Sequence, residues 1–423
     1  MAARILLASW GSHGDLYPSL GLALRLQARG QSAVLATCPY YRPIVERAGV
    51  EFQPLRPDVE PSNTRLLERI MDPARGSEVI VRELMIPALR DQHRDLLAAA
   101  RGADIIVNHP VTFAGPIVAG QLGLPWLSTV LAPLSFFSVS DFPALPPWPR
   151  TVVVHRAFGA LTGRIAKSVA RRITRDWTAP VRALRAEVGL PPAADPLYEG
   201  QFSPHGTLAM YSRVLGAPQP DWPPRTHVTG FVFYNGPDAR LPDAIAAFLD
   251  AGDPPVVFTL GTSAVGAAGT FYEESAKAAQ RLGRRAVLLT GGAPENRLRG
   301  RVPSDVLVAD YAPHELLFPR AAAIVHHGGA GTLGQALRSG RPMLVVPFAH
   351  DQPDNAYRVS RLGVARVLYP SQYNARRVVG HLRALLEERS YARHAAEAAR
   401  TVSAEDGADA AADVIVSSIH ERR

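Results

Sequence analysis

The chain has 423 residues, in which 46 Lys and Arg outnumber 38 Asp and Glu to leave a formal net charge of +8. This length exceeds one ordinary hydrophobic core, so we expect two domains of about 200 residues each. The single cysteine, Cys38, excludes an internal disulfide and a cysteine-based zinc framework. No stretch approaches the roughly 18 consecutive apolar residues of a membrane span, and we expect a cytoplasmic protein.

The basic residues are mostly scattered, and their densest run occupies residues 164–175. These arginines share a predicted amphipathic helix with Ile165, Val169 and Ile173. Nucleic-acid binding usually needs a clustered basic stripe with aromatic residues, so no nucleic-acid partner is expected. Two interpretations of the helix stay open: a solvated surface helix, or a weak contact with a membrane surface that would suit a lipid substrate.

The first strand and the first helix enclose a loop with two candidate bases. Residues 5–8 form an apolar run typical of a buried strand, and residues 18–30 follow with helical spacing. The loop between them includes His13 and Asp15, at the carboxyl end of a parallel strand, where open α/β sheets place their ligands. From the residues alone, Asp15 could equally be a helix cap and His13 a hydrogen-bonded loop residue.

The rest of the first half alternates strands with long connections. Residues 104–107 and 126–131 predict strands, whereas the polar residues 55–76 predict a long loop before a helix at residues 78–100. Residues 133–149 form a proline-rich loop. Its aromatic side chains, which we predict to line an apolar pocket, are Phe136, Phe137, Phe142 and Trp148. Packing as a plain lid is the alternative for this loop.

The second half contains a strand, a glycine-rich turn and a helix, in residues 323–339. Glycines let the backbone approach a bound group closely, and the helix N-terminus offers unpaired N–H donors, so an anion such as a diphosphate is expected there. After the next strand, residues 343–346, come a carboxylate and an amide, Asp351 and Gln352, which suit sugar hydroxyls. A metal site at His326, His327, His350 and Asp351 is disfavoured, because adjacent side chains in extended chain point to opposite faces.

These motifs together resemble the UDP-glycosyltransferase superfamily, inverting enzymes of the GT-B fold, and are most similar to bacterial rhamnolipid-type, antibiotic and sterol glycosyltransferases. The resemblance implies an α/β fold with two Rossmann-like domains whose parallel sheets face each other across a cleft. Residues 1–234 would be the acceptor-binding domain and residues 235–402 the nucleotide-sugar-binding domain. Residues 403–423 would form a helix that crosses back to the first domain, and residues 235–242 the linker.

The resemblance also assigns roles to single residues. Asp15 stands three residues before Pro18, where bacterial members carry a catalytic Asp, and His13 stands where they usually carry Arg. Asn108 replaces an Asp that orients a catalytic His in other members. The donor diphosphate would be bound by Thr262, Ser263, His326, Gly328, Gly331 and Thr332. Asp351 and Gln352 would bind the donor sugar.

The nucleobase site departs from the pattern of the superfamily. Tyr311 stands where a Trp usually stacks on the base, with Ala312 beside it, and Gly334 replaces a Glu that holds the ribose in many members. The choice between a uridine and a thymidine donor therefore stays open.

The expected function is metal-independent, cofactor-free transfer of a hexose from a UDP- or dTDP-sugar to a hydroxyl of a small apolar acceptor, such as a polyketide, sterol, flavonoid or lipid. Two alternatives are kept. A nucleotide-sugar epimerase of the same fold would have no use for an acceptor loop, and a non-catalytic nucleotide-sugar-binding module could dispense with Asp15. A serine hydrolase is disfavoured because no Gly-x-Ser-x-Gly turn occurs.

Overall fold

Two parallel β-sheets covered by helices form the protein. The computed structural model describes residues 2–60, 63–146, 148–149, 151–236 and 239–421. Within them, one sheet has seven strands and the other six. The predicted α/β fold with two parallel-sheet domains is confirmed. The predicted boundary at residues 234 and 235 stays a prediction, and residues 237 and 238 of the predicted linker lie outside the described residues.

The N-terminal domain is built on the seven-stranded sheet. Its strands are β1 (Arg4–Ala8), β2 (Ser32–Thr37), β3 (Glu51–Pro54), β4 (Ile105–Asn108), β5 (Trp126–Val130), β6 (Thr207–Ala209) and β7 (Thr226–Val228). Its helices are α1 (His13–Ala28), α2 (Arg42–Arg47), α3 (Thr64–Ile70), α4 (Gly76–Glu78), α5 (Leu89–Ala99), α6 (Gly115–Leu122), α7 (Thr151–Phe158), α8 (Ala160–Thr174) and α9 (Ala179–Glu187).

The C-terminal domain is built on the six-stranded sheet. Its strands are β8 (Val256–Thr259), β9 (Ala286–Leu289), β10 (Val306–Ala309), β11 (Ala323–His326), β12 (Met343–Val345) and β13 (Ala365–Val367). The helices that follow the linker are α10 (Asp243–Asp250), α11 (Gly261–Ala264), α12 (Phe271–Leu282), α13 (His314–Leu317), α14 (Ala330–Ser339), α15 (Gln352–Arg361), α16 (Ala375–Glu387), α17 (Arg389–Ala404) and α18 (Gly407–His420).

The strand order of each sheet determines which loops meet. The first sheet has the order β3-β2-β1-β4-β5-β6-β7, and the second has the order β10-β9-β8-β11-β12-β13. In open parallel sheets, ligands bind outside the carboxyl ends of the strands, at the point where the order reverses. The loops after β1 and β4 therefore stand side by side in one domain, and the loops after β8 and β11 do so in the other.

One helix occupies a stretch that the sequence predicts as loop. Helix α3 lies inside residues 55–76, where polar residues hide its periodicity, and Asn63 caps it by accepting a hydrogen bond from the Leu66 N–H at 3.1 Å. Leu67 and Ile70 of this helix, and Met71 directly after it, line the cleft between the domains. The prediction of a loop was wrong here.

The last helix, α18, packs on the N-terminal domain although it follows the whole C-terminal domain in sequence. Its residues Ala411 and Ile415 are fully buried in the core that also contains β1 and β4. Asp409 pairs with Arg29 of α1 at 2.6 Å. The end of the chain therefore links the two domains.

Helix α8 turns its apolar face away from the domain. Ile165, Val169 and Ile173 are 57, 53 and 62% exposed, whereas Gly163 on the inner face is buried. A weak membrane-surface contact stays a prediction for this face. None of the helices in the described ranges has the length and apolar character needed to cross a membrane.

A buried ion-pair network joins the loop after β5 to helix α15 of the other domain. The guanidinium of Arg358 bonds Asp354 at 2.8 Å and Asp141 at 2.5 Å, and the Ala144 N–H donates to Asp354 at 3.0 Å. Arg358 is 8% exposed and Asp354 is fully buried. Because burial of unpaired charges is costly, these contacts keep the loop and helix in one arrangement.

We expect Arg358→Ala to destabilise the protein by about 3 kcal/mol, because it leaves the buried carboxylate of Asp354 without its cation. Urea unfolding followed by circular dichroism measures the effect. Arg361→Ala, on the exposed side of the same helix, is the matched control and should change stability little. Equal stability of Arg358→Ala and the control would show that the ion-pair network contributes nothing to the free energy of unfolding.

Candidate active site

Predicted site residues from both domains line two adjoining cavities between the domains. The first, which we call the reaction cavity, has a volume of about 340 Å³ and is lined by residues of both domains, including Asp15, His327 and Asp351. The second, the nucleotide cavity, has about the same volume, 340 Å³, and contains Tyr311. Residues that line both cavities are Gly14, Thr262, Gly331 and Thr332. The boundary between the cavities thus lies at the N-termini of α1 and α14.

Asp15 stabilises its helix and also faces the reaction cavity. It is the third residue of α1, and its Oδ2 accepts a hydrogen bond from the Ser12 N–H at 2.7 Å while Ser12 caps the helix. Its Oδ1 lies 3.3 Å from His109 Nε2. Gly11, with φ of 146°, leaves room for the carboxylate, because a Cβ there would stand 2.2 Å from Oδ2. Oδ2 therefore stabilises the start of the helix, and Oδ1 lies close to His109 in the reaction cavity.

His13 lies in a different cavity from Asp15. Its ring packs against the rings of Tyr17 and Tyr41, with centroids 5.0 and 5.2 Å away, and it lines the nucleotide cavity. Burial lowers the pKa of His13 below its usual value. The two candidate bases are thus separated by the backbone of the helix start, and only Asp15 reaches the reaction cavity.

The structure corrects the assignment of the imidazole beside the glycine turn. His326, the last residue of β11, is fully buried in the domain core, where Nδ1 accepts from the Gly328 N–H at 3.1 Å and Nε2 lies 3.4 Å from Met343 Sδ. His327 lines the reaction cavity instead, with Nε2 3.3 Å from Ser263 Oγ. Successive side chains of a strand point to opposite faces, and the prediction selected the wrong one.

Two glycines make the space for His327. A Cβ at Gly261 would stand 2.6 Å from His327 Cε1, and one at Gly329 would stand 2.4 Å from its Nε2. Burial lowers the pKa of His327 to about 3, so the free protein holds a neutral ring here. A neutral imidazole with a ring N–H can donate a hydrogen bond to a phosphate oxygen.

Most of the remaining predicted diphosphate residues line the cavities, and Gly328 does not. Its N–H is bonded to His326, and its carbonyl accepts from Asn355 Nδ2 at 2.9 Å, so Gly328 lies behind the turn. Thr262, Ser263, Gly331 and Thr332 face the reaction cavity. Helix α14 begins after Gly329, which offers no side-chain cap, and its first N–H groups are directed at the boundary between the cavities.

The two predicted sugar residues open helix α15 and line the reaction cavity. Burial raises the pKa of the Asp351 carboxyl to about 7, and the negative charge of Asp15 contributes to this rise. Gln352 Oε1 accepts from the Phe348 N–H at 2.8 Å, while its amide nitrogen lies 3.7 Å from Met71 Sδ of the other domain. Asp351 is therefore poised between protonated and ionised forms near neutral pH.

At the predicted nucleobase site only Tyr311 is placed to stack. Its ring is 57% exposed and lines the nucleotide cavity. Ala312 is fully buried in the core of the C-terminal domain, so only its main chain is left to contact a base, and its role there stays a prediction.

The predicted aromatic wall is absent from the reaction cavity among the described residues. Phe136 is buried and stacks on Trp222 with centroids 4.0 Å apart, and Phe142 packs near His155. Phe137 packs on Tyr198, and Trp148 is 65% exposed. The loop is anchored to α15 through Asp141 and Ala144. The apolar lining of the reaction cavity comes from other residues: the aromatic rings of Trp10 and Tyr41 and the aliphatic or thioether side chains of Val59, Leu67, Ile70, Met71, Ile80 and Leu131.

Two further histidines line the reaction cavity: His109, which sequence reasoning missed, and His350, which it considered only as part of a disfavoured metal site. His109 directly follows β4, and the adjacency of β1 and β4 brings it to Asp15. The neighbouring Asn108, singled out from the sequence, is buried and bonds Thr112 Oγ1 at 2.6 Å. A polar residue after an apolar strand was the available signal for His109. Among the described residues, no group of three or more His, Cys, Asp or Glu side chains could hold a metal ion.

Comparisons with known proteins identify related domains in both halves of the chain. Residues 5–136 match the glycosyltransferase family 28 N-terminal domain, and residues 284–419 match the erythromycin biosynthesis protein CIII-like C-terminal domain. The chain is 34% identical to O-mycaminosyltylonolide 6-deoxyallosyltransferase of Streptomyces fradiae, over 97% of this chain and 96% of that protein. The chain belongs to the GT-B glycosyltransferases of the UDP-glycosyltransferase superfamily. The resemblance seen in its motifs is confirmed.

Further relatives and structures are similar to this glycosyltransferase over nearly its whole length. Glycosyltransferase GtfE of Amycolatopsis orientalis is 29% identical over 99% of this chain and 98% of that protein. The spinosyn forosaminyltransferase SpnP shares the fold with a TM-score of 0.73 at 21% identity, covering 99% of this chain and 100% of that one. Because these relatives are named as glycosyltransferases, the comparisons favour glycosyl transfer over the alternatives of an epimerase and of a non-catalytic binding module.

We expect His327→Ala to lower turnover by about a hundredfold, because it removes one hydrogen-bond donor aimed at the leaving group. His326→Ala should instead lower stability by about 2 kcal/mol, since it empties a packed site and leaves the Gly328 N–H unpaired. Steady-state kinetics measure the turnover of both variants, and thermal unfolding measures their stability. A larger loss of turnover, at equal stability, in His326→Ala would restore the original assignment.

The raised pKa of Asp351 predicts a pH-dependent stability. Because the folded pKa lies above the unfolded value of about 3.9, the carboxyl contributes stability that is complete below about pH 4 and is lost as the pH rises through about 7. Asp351→Asn should therefore gain stability relative to the wild type across this window. Thermal unfolding in steps of pH measures it, with the exposed Asp243→Asn as control. A difference that stays constant from pH 4 to pH 7 would contradict the assignment.

Proposed function

We propose that this glycosyltransferase transfers a hexose, with inversion, from a UDP- or dTDP-sugar to a hydroxyl of an apolar acceptor. One observation carries the proposal: Asp15 of the N-terminal domain faces the N-terminus of α14 and the pair Asp351 and Gln352 of the C-terminal domain within the reaction cavity. A base, an anion site and hydroxyl-binding groups are thereby present in one enclosed volume. These are the groups that a glycosyl transfer needs.

The nucleotide would bind in the nucleotide cavity with its base on Tyr311. The ribose is proposed to bind Gln335, whose Oε1 is buried and has no partner within the described residues. Its Nε2 donates to Asn235 Oδ1 at 2.8 Å, which orients the amide. A side chain at Gly334 could not serve, because its Cβ would stand 2.9 Å from the ring of Phe231. This accounts for the missing ribose-binding Glu.

The proposed reaction is a single displacement. Asp15 takes the proton of the acceptor hydroxyl as its oxygen bonds the anomeric carbon, and the bond from that carbon to the diphosphate oxygen breaks on the opposite face. The charge that develops on the diphosphate is met by the N–H groups of α14, the ring of His327 and the hydroxyl of Thr262. With these donors in place, we propose that transfer needs neither a metal ion nor a cofactor.

His109 is proposed to position the carboxylate of Asp15. Its Nε2 lies within reach of Oδ1, and His109 is itself largely buried, with 12% of its side chain exposed. A ring N–H that donates to Oδ1 would hold the carboxylate toward the reaction cavity, because Oδ2 is already held by Ser12. Hydrogen bonds to both carboxylate oxygens would then determine the orientation of Asp15.

The acceptor is proposed to be a large apolar scaffold that bears a hydroxyl, of the polyketide or sterol kind. The apolar lining of the reaction cavity supports this, since it offers the aliphatic side chains of Leu67, Ile70 and Leu131 together with the rings of Trp10 and Tyr41. The names of two relatives also support such an acceptor. One is the tylonolide enzyme described above. The other is sterol 3-beta-glucosyltransferase UGT80A2 of Arabidopsis thaliana, to which the chain is 29% identical over 85% of this chain and 57% of that protein.

The test is a screen of UDP- and dTDP-hexoses against macrolide, sterol, flavonoid and hydroxy-fatty-acid acceptors, read by mass spectrometry. Appearance of a glycoside with inverted anomeric configuration supports the proposal, and an excess of EDTA should leave its rate unchanged. A product of retained configuration, or turnover that requires an added divalent ion, would refute the mechanism.

Asp15→Asn should lower transfer at least about a hundredfold, the lower end of what general base catalysis contributes. The amide oxygen can still accept from the Ser12 N–H, so the helix start should be preserved and donor affinity, measured by calorimetry with UDP or dTDP, should stay within a few-fold. His13→Ala, in the neighbouring cavity, is the control and should keep most of the turnover. If Asp15→Asn retains the wild-type rate while His13→Ala is inactive, the base is His13.

A further inference from the structure

Helices α7 and α8 present an apolar surface to the solvent. Both helices pack on the ring of Phe142: the ring of His155 in α7 lies 5.6 Å away between centroids, and a Cβ at Gly163 in α8 would stand 3.3 Å from Phe142 Cδ2. The opposite sides of the two helices therefore face outward together. The apolar residues of this outward side, which we call the outer face, are 51 to 71% exposed: Val153, Val154, Phe158, Leu161, Ile165, Val169 and Ile173.

On α8 the outer face is a row of aliphatic side chains along one side of the helix. Leu161, Ile165, Val169 and Ile173 recur every four residues, a spacing that places them above one another on an α-helix. The side that packs on the domain carries the small residue Gly163, which is buried. Soluble monomers rarely expose a large contiguous apolar patch unless it binds something. The row therefore indicates a partner outside the domain.

The charges around the outer face have one sign. Residues 151–175 contain six Lys and Arg and no Asp or Glu. Two of these cations pair with Glu199. Arg164 and Arg172 are exposed, form no ion pair within the described part of the chain, and each directly precedes an isoleucine of the row. The apolar row is thus accompanied by free positive charge.

These two features together select the partner. A second copy of the chain, bound through the same face, would bring its own cations against these, and like charges repel. An anionic phospholipid bilayer instead offers an apolar phase to the aliphatic row and phosphate groups to the arginines. Contact would be with the surface of the bilayer, because none of the helices in the described ranges can cross a membrane.

We propose that α7 and α8 bind the surface of an anionic phospholipid bilayer, with the outer face at the boundary of the acyl chains and Arg164 and Arg172 at the phosphates. This inference goes beyond the proposed function. The loop on which α8 packs begins at the reaction cavity, where Leu131 and Ser135 line it. Binding would hold that loop at the membrane surface, where an apolar acceptor is concentrated.

The test is co-sedimentation of the full chain with vesicles, one set of phosphatidylcholine alone and one of equal parts phosphatidylcholine and phosphatidylglycerol. The wild type should bind the mixed vesicles more tightly than the neutral ones. Its binding to the mixed vesicles should weaken as salt is added, because salt screens exposed charges.

Single substitutions on α8 separate the apolar from the charged contribution. Ile165→Gln and Ile173→Gln should each lower the partition coefficient by roughly tenfold, because one aliphatic side chain no longer enters the apolar phase. Arg164→Gln and Arg172→Gln should each lower it by roughly fivefold for the mixed vesicles and leave it unchanged for the neutral ones. Glutamine is a good helix former, so α8 should be preserved, which circular dichroism checks.

Arg301→Gln and Val302→Gln are the matched controls. They replace one exposed arginine and one apolar residue that is 40% exposed, both on the C-terminal domain before β10. Neither substitution should change the partition coefficient for either set of vesicles.

Four results would overturn the inference. The wild type could fail to bind the mixed vesicles, it could bind both sets equally, or the isoleucine variants could bind as tightly as the controls. Light scattering could also show a dimer that Ile165→Gln dissociates, and the outer face would then be an interface between copies of this chain. None of these measurements requires turnover, so their outcome is independent of the proposed glycosyl transfer.

Discussion

The architecture of the cleft depends on the close approach of two helix N-termini. Helices α1 and α14 begin at opposite walls, and a Cβ added to Gly331 would stand 3.6 Å from Gly14 Cα. Each N-terminus carries a partial positive charge, so their approach is unfavourable unless negative charge lies between or beside them. Asp15 supplies one such charge at the start of α1. A diphosphate at the start of α14 would supply the other.

The two domains are held in this arrangement by contacts that lie outside the cleft. The network of Arg358, Asp354 and Asp141 ties the loop after β5 to helix α15, which also carries Gln352. On the other side, α18 returns to the N-terminal domain and buries Ala411 and Ile415 there. Because the same helix that bears the proposed sugar-binding residues is anchored across the interface, the geometry of the reaction cavity depends on the relative position of the domains.

The reaction cavity combines groups whose charges are adjusted by burial. The pKa of Asp351 is raised to about 7 and that of His327 is lowered to about 3, in both cases mainly by removal from water. His327 is therefore neutral in the free protein, and Asp351 changes between protonated and ionised forms near neutral pH. Asp15, the nearby carboxylate, also stabilises the start of a helix. Electrostatic stabilisation of a leaving diphosphate depends on such preorganised donors.

The sequence by itself determined the two parallel-sheet domains and the glycine turn before α14, and it selected Asp15, Thr332 and Asp351, which the structure brings to one cavity. These features are local: apolar strands, turn glycines and polar residues at strand ends can be recognised from a few neighbouring residues. The tertiary structure alone decided between His326 and His327. Parallel strands are buried on both faces, so no alternation of polar and apolar residues shows which side chain faces the cleft.

The same limit applies to contacts between distant segments. Phe136 and Phe142 predicted an acceptor wall because they are aromatic and belong to a long proline-rich loop, yet Phe136 is buried against Trp222 and Phe142 packs near His155. His109 could be assigned to the site only when β4 was placed beside β1, which brings it to Asp15. Which strands adjoin, and which way a long loop folds, follow from packing between residues hundreds of positions apart, as the 217-residue separation of Asp141 and Arg358 illustrates.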